Sequence, residues 1–326
     1  MKKRTIAALL AGMACAAGLT ACGSLTGTGD THHIAVIIKH SGEHFQNVMA
    51  GAEAYADEHP NVTIDIQFPS TADDSAEQLD LFKAALADDS ADAVIVSPMQ
   101  SEPVAAAAEN ADKPIIALDT DFTSDKKIAF VGTGNEAAAL AGGRAAMKQA
   151  KANGASQPTA VILVGPEGDA THEARLHGYR SAVEQSGGTV LEVEYCGTQA
   201  DRASAAMQAI MKKYPQGVDV VLAAGDEIAL AAVKSILDDT SSTAYKNTVI
   251  CGFDGSRAAI EALDRGELTV DIAQQGYDMG YRAVEAAVDT LEGRSVQPVI
   301  DSGSEVITAD NIDAYIADLK DKGLWE

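Results

Sequence analysis

The chain has 326 residues, 46% of them hydrophobic, and its 24 Lys and Arg stand against 48 Asp and Glu for a formal net charge of −24. A surface this acidic repels phosphate backbones and anionic lipid heads, which excludes nucleic-acid binding and docking to membranes through basic patches. The length suffices for two domains of ordinary size, each able to bury its own core.

Lys2, Lys3 and Arg4 precede an apolar run, Ile6 to Leu19, that is too short to span a bilayer but matches the apolar region of a secretory signal. The segment Leu19-Thr20-Ala21-Cys22 resembles the bacterial lipobox. That resemblance implies that residues 1–21 are a lipoprotein signal peptide and that Cys22 carries the acyl chains of a membrane anchor. Residues 22–31, rich in Gly, Thr and Ser, read as a flexible tether. Loss of the signal with its three cations would leave a charge of about −27. Of the other cysteines, Cys15 leaves with the signal, and Cys196 and Cys251 have neither CxxC spacing nor a nearby His, so both are expected to pack in the core.

From residue 32 on, short Val- and Ile-rich runs alternate with Ala-rich stretches of helical length, the pattern of βαβ units on a parallel sheet. A strand at residues 34–41 (IAVIIKHS) leads into a helix around Gly51, a strand VTIDIQF, a helix EQLDLFKAAL and a strand DAVIVSP. The strands KPIIALDTD and KIAFVGT follow. The same order then returns: a strand at 160–165 (AVILVG), a helix around Gly178, TVLEVEY, the helix ASAAMQAIMKK and VDVVLAAGD, followed by NTVICGFDG and LTVDIAQQ. A pattern written twice predicts an α/β protein of two similar doubly wound parallel-sheet lobes.

Ligands of such sheets sit beyond the carboxyl ends of the strands. In the first half those ends deliver Lys39, His40, Glu43 and Phe45, then Ser97, then Asp119 and Asp121. The second half delivers Glu167, Asp169 and Arg175, then Asp226 and Glu227, then Asp254, Gln274 and Gln275. Any one of these acids alone reads as a helix cap or a solvated charge. Their convergence suits a polyhydroxylated ligand, whose hydroxyls pair with carboxylates, guanidinium and amide while a ring face packs on an aromatic. Phosphate-cradling GxGxxG and GxxxxGK[ST] loops do not follow any strand, and a GxSxG elbow is missing too. His32 and His33 adjoin the tether and the other histidines lack ligand spacing, so a non-catalytic protein without metal or cofactor is expected.

The blocks IAVIIKHSGEHFQNVMAGAEAYA, DAVIVSP, PIIALDTD, FVGTGN, EARLHGYRSAV, VVLAAGDEIALAAV, ICGFDGSRAAIEALDRGEL and DIAQQGYDMGYRAVEAA resemble consecutive segments of the type I periplasmic sugar-binding proteins, the ribose- and galactose-binding relatives. The resemblance covers residues 32 to 302. It implies a periplasmic-binding-protein-like type I fold with a three-segment hinge near residues 134, 275 and 303. The N-terminal lobe would hold 32–134 and 276–302, and the C-terminal lobe 135–275 and 303–326, each with strand order 2-1-3-4-5. That order would put the strand leading to Cys196 at an edge and Cys251 on the fourth strand, beyond disulfide reach. The implied function is a monomeric, lipid-anchored, extracytoplasmic receptor that hands a monosaccharide to an ABC permease. The alternative is a sensor subunit that presents its closed form to a chemoreceptor or histidine kinase.

Residue by residue, Asp119 resembles the family acid that grips sugar hydroxyls, and Arg175 the arginine that bridges ring and hydroxyl oxygens. Asp254 and Gln274 match polar contacts of the second lobe, Phe45 an aromatic of the first, and Glu43 an acidic partner in galactose-type binders. Asp121 and Asp226 complete the candidate set. Where relatives read NDEMA, this chain reads Gly225-Asp226-Glu227-Ile228-Ala229, and GTQADRA offers no aromatic. Lys39 stands where binders of the furanosyl quorum signal also carry a lysine; a solvated lysine at the cleft rim is the equal alternative.

Overall fold

The apolar runs form parallel strands because β-branched side chains, stiff at χ1, pack well on a pleated surface covered on both faces. A computed structural model describes residues 31–71, 74–197 and 199–325, so the expected anchor at Cys22 and the tether up to residue 30 lie outside the described residues. In chain order the first half comprises β1 (His32–Ile37), α1 (Glu43–Glu58), β2 (Val62–Gln67), α2 (Ser75–Ala87), β3 (Ala93–Val96), α3 (Ser101–Ala108), β4 (Ile115–Leu118) and β5 (Lys127–Gly132). The chain continues through α4 (Asn135–Ala152), β6 (Thr159–Val164), α5 (Ala170–Gln185), β7 (Thr189–Tyr195), α6 (Ala200–Lys213), β8 (Val220–Ala223), α7 (Asp226–Asp238), β9 (Val249–Cys251), α8 (Arg257–Asp264) and β10 (Asp271–Gln274). It ends with α9 (Gly276–Leu291), β11 (Val299–Asp301), β12 (Ser304–Ile307) and α10 (Ile312–Asp321).

The first sheet has the order β11-β5-β4-β3-β1-β2 and the second β7-β6-β8-β9. β10 pairs antiparallel with β12 and joins β9 through the bridges Cys251–Val270 and Asp254–Ala273. Helices cover both faces of each sheet: α1 and α9 against α2 and α3 in the first, α4 and α5 against α6, α7, α8 and α10 in the second. The expected order 2-1-3-4-5 thus holds in the first sheet, which gains β11 beyond β5. In the second it holds for four strands, with the fifth attached by isolated bridges. The short segments VID and SEVI, which form β11 and β12, carried no periodicity long enough to mark them as strands. Cys196 follows the edge strand β7, Cys251 ends β9, and both are buried free thiols. Among the described residues no helix is long and apolar enough to cross a membrane.

The two halves use a corresponding glycine for helix packing. A Cβ at Gly51 of α1 would stand 1.8 Å from the Tyr277 carbonyl oxygen of α9, and one at Gly178 of α5 would stand 2.3 Å from that of Glu136 in α4. Only a residue without a side chain lets these backbones approach so closely. The chain passes between the sheets after β5, after β10 and after β11. The passages are tied to one another: Thr133 Oγ1 donates to Gln274 Oε1 at 2.7 Å, and Gly134 N–H to Asp301 Oδ1 at 3.1 Å. Ser302 N–H reaches the Gly132 carbonyl at 2.8 Å.

Candidate ligand cleft

Asp119 directly follows β4 and sits in the left-handed region at φ 61°. Lys39, beyond the end of β1, donates from Nζ to Asp119 Oδ2 at 2.9 Å and to Thr120 Oγ1 at 2.5 Å. His44 Nε2, from the first turn of α1, lies 3.0 Å from Asp119 Oδ1. Burial alone would raise the Asp119 carboxyl, but the Lys39 charge and the His44 and Lys39 hydrogen bonds outweigh it and hold the group well below its ordinary value. Asp119 is therefore an ionised acceptor, and His44 carries its proton on Nε2. The loops that frame this cluster are fixed by Gln78, buried in α2, whose amide donates to the carbonyls of Ile38 and Ser97 and accepts from Met99 N–H.

On the second sheet the corresponding position, after β9, holds Asp254 at φ 131°. Arg175 of α5 is buried and donates from Nε to Asn135 Oδ1 at 2.8 Å, and from one terminal nitrogen to the Ala224 carbonyl at 2.8 Å and Asp254 Oδ1 at 3.3 Å. Its guanidinium lies 3.7 Å from the centroid of the Phe253 ring, a stacking a lysine could not reproduce. Gln274 donates to the same Asp254 oxygen at 2.7 Å. His172, one turn before Arg175, is pushed below its ordinary value by burial and then by the Arg175 charge, so it is neutral.

Among the described residues, Asp119 and Asp254 are the non-glycine residues at positive φ. A backbone held in such a conformation is strained, and strain of this kind collects at functional sites. Both aspartates stand where a strand ends, each beside a cation. Next to them opens a cleft of about 680 Å³ whose walls include their partners rather than the aspartates themselves: Lys39 and Thr120, with Asp121, from the first half, and Asn135, with Asp169 and Ala174, from the second. Another cavity, about 440 Å³, opens around Asn153, Lys246 and Thr248 at the amino end of β9, and no candidate residue lines it.

The structure thus brings Lys39 and Asp119 together, and likewise Arg175, Asp254 and Gln274. The remaining candidates stand apart. Glu43 accepts the Arg257 backbone N–H at 2.7 Å, reaching across to the start of α8. Phe45 is 3% exposed, packed among Val48, Ala52 and the β1 side chains, with the His40 and His44 rings edge-on to it. Asp121 lines the cleft mouth and is paired with Lys127. Asp226 is buried beneath the Asp254 turn, and its Oδ2 accepts the Ser256 N–H at 2.7 Å. Sequence reading missed His44 and Asn135, the partners of Asp119 and Arg175. His44 precedes Phe45 at a strand-end helix start, a position the strand-end rule already marks.

A model of the periplasmic binding protein domain matches residues 34–295. The ribose import binding protein of Escherichia coli is 27% identical over 208 residues, 63% of this chain and 67% of that protein. The ribose import binding protein of Bacillus subtilis is 27% identical over 212 residues, 64% of this chain and 66% of the relative. The matched stretches therefore span about two thirds of these relatives' length. Among solved structures, a glucose-galactose binding protein from Geobacillus stearothermophilus superposes with a TM-score of 0.77 at 25% identity, covering 87% of this chain and 99% of its own. A solute binding protein from Bacillus halodurans shares the fold with a TM-score of 0.76 at 22% identity, over 90% of this chain and 99% of its own. A family match over most of its length, with paired parallel sheets around one cleft, makes this chain a member of the type I periplasmic binding proteins.

Proposed function

We propose that this protein captures a monosaccharide or close analogue in the cleft between its two sheets and delivers it to an ABC importer. One observation carries the reading: two strained aspartates, Asp119 and Asp254, end equivalent strands of the two halves and are each paired with a cation, and Lys39 beside the first and Asn135 beside Arg175 line one cleft. An ionised carboxylate accepts from one hydroxyl while the fixed cation beside it donates to the next, which suits vicinal hydroxyls, and a ligand bridging both halves would favour closure by its differential contacts. The relatives named as ribose import binding proteins and the glucose-galactose binding protein support the same ligand class. In this reading Lys39, His44 and Asp119 contact the ligand from the lobe formed by 32–134 and 276–302. Arg175, Asp254 and Gln274 contact it from the lobe formed by 135–275 and 303–326. Cys22 is the acylated residue that holds a monomeric receptor outside the cytoplasm beside its permease.

A thermal-shift panel of ribose, xylose, galactose, glucose, inositol, an amino sugar and the furanosyl quorum signal tests the ligand class. A ligand at a hundredfold excess over its Kd adds about 2.7 kcal/mol to stability, a shift of several degrees. One of these compounds should raise the melt, and Lys39→Ala should weaken it tenfold or more, about 1.4 kcal/mol. If an amino acid or peptide shifts the melt and no sugar does, the hydroxyl-binding reading is wrong. Cys22→Ser should abolish membrane attachment; unchanged attachment would refute the anchor.

A further inference from the structure

Under the Asp254 turn lies a second acidic feature that does not face the cleft. Asp226 opens α7 and Asp271 opens β10, and they are 3% and 0% exposed. Asp226 Oδ2 takes the Ser256 N–H, but its Oδ1 and both Asp271 oxygens are left without a well-aligned hydrogen bond, the backbone N–H groups of Ile272 and Gly255 lying nearest Asp271. The two carboxyl groups meet over Gly252, where a Cβ would stand 2.6 Å from Asp226 Oδ1 and 3.3 Å from Asp271 Oδ1.

Two carboxylates in a dry interior cannot both stay ionised without a cation. The cation in this region, Arg175, is committed to Asp254. The other groups facing the pair are Asp254 from the turn, Cys251 from β9, Tyr179 from α5 and Tyr315 from α10, and Glu305 and Glu43 also act on Tyr315. None of these neutralises a dianion. One proton held between Asp226 Oδ1 and an Asp271 oxygen satisfies two of the three orphaned oxygens and turns repulsion into a strong hydrogen bond.

We propose that Asp226 and Asp271 share a proton and act as positioning residues, clamping the Asp254–Ser256 turn so that Asp254 is presented to the cleft. Burial, then the neighbouring carboxylates, pushes both groups above the ordinary carboxylate range. Asp226 grips Ser256 N–H two residues beyond Asp254, while Gly255 between them is at φ 78°. When the proton leaves, the dianion repels itself, the grip on Ser256 loosens and Asp254 loses its fixed direction. The clamp stands on its own geometry; its effect on affinity rests on the proposed ligand cleft.

The test begins with infrared spectra of the wild-type chain without ligand. At neutral pH they should contain the carbonyl band of a buried protonated carboxylic acid, absent from Asp271→Asn. Because the folded value is raised, the pair's stabilising contribution is complete at low pH and is lost as pH rises through that value. Wild-type melting temperature should therefore fall with rising pH, and Asp271→Asn, whose amide donates to Asp226 permanently, should flatten that dependence. With D-ribose as probe, wild-type affinity should weaken by up to about tenfold per pH unit above the transition, and that of Asp271→Asn should not. Lack of the acid band in the wild type, or equal pH dependence in both chains, would overturn the proposal. So would a melt raised at fixed pH by sodium or potassium chloride beyond the rise given by tetramethylammonium chloride at equal ionic strength, which would mean a buried cation in place of the proton. D-ribose failing to bind at any pH would count against the cleft reading, while the infrared and melting results would still decide the clamp.

Discussion

Replacing Arg175 by Ala removes the side chain that ties three parts of the second half together. Asn135 and Ala224 lose donors at 2.8 Å, Asp254 loses its ion pair, and the Phe253 ring loses the guanidinium 3.7 Å away. Ala224 is fully buried, so a carbonyl stripped of its donor costs about 1 to 3 kcal/mol. The Asp254 side chain is 34% exposed, so water takes over much of the lost pairing and that part is held to about 1 kcal/mol or less. Loss of the stacked cation adds roughly 1 kcal/mol. The sum, about 3 kcal/mol, corresponds to a melting temperature lower by on the order of 6 to 10 °C in a chain of this size. Arg175→Lys should recover less than half of it, because a single ammonium nitrogen lacks the spread planar fork that reaches Asn135, Ala224 and Asp254 together and cannot stack flat on Phe253. Scanning calorimetry without ligand measures the stability change, and titration of the sugar found in the panel measures binding, which both variants should abolish. If Arg175→Ala melts within about 2 °C of the wild type, the guanidinium does not organise this side of the cleft and the reasoning fails.

Further outcomes follow from other parts of the molecule. The Asp119 carboxyl lies below its ordinary value, so its contribution is present above the unfolded-state value and is lost as pH falls through the folded one. Lys39→Met removes the main lowering charge and should move acid unfolding, followed by circular dichroism, to higher pH; an unmoved midpoint would refute the pairing. Gly51→Ala would set a methyl 1.8 Å from the Tyr277 carbonyl and force α1 and α9 apart, at a cost of about 2 kcal/mol or more in urea unfolding. Burial pushes the Cys196 thiol up to about 11 and raises Cys251 further, so mass spectrometry should find both peptides unalkylated at pH 8 in the native protein and both modified in denaturant. Failure to modify them in denaturant without reductant would mean they are paired.

Alternation of Val/Ile runs with Ala-rich helices made ten strands and their sequence order legible, because a buried parallel strand has few alternatives to a continuous apolar run. The strand-end rule found Asp119, Arg175, Asp254 and Gln274 for the same reason: chain direction alone decides where loops converge. It could not say which way a side chain at a strand end turns. Asp226 and Asp254 both follow strands of the second sheet, yet Asp226 opens α7 and turns down toward Asp271, while Asp254 is bent up by its backbone. Phe45 likewise opens α1 but faces the core, leaving His44 as the neighbour of Asp119. Such choices depend on packing between segments distant in sequence, such as Asp226 with Asp271.

In the proposed function one ligand is held at once by the strained aspartate of each half. Calorimetric titration of the sugar from the panel into Asp119→Asn and Asp254→Asn tests it most directly. Each variant keeps size and removes charge at one side of the cleft, and a hydrogen bond to a charged group contributes about 1.5 to 3 kcal/mol. Both variants should bind about tenfold to a hundredfold more weakly than the wild type. Wild-type affinity in either one would show that the ligand is held by a single half and would contradict the account.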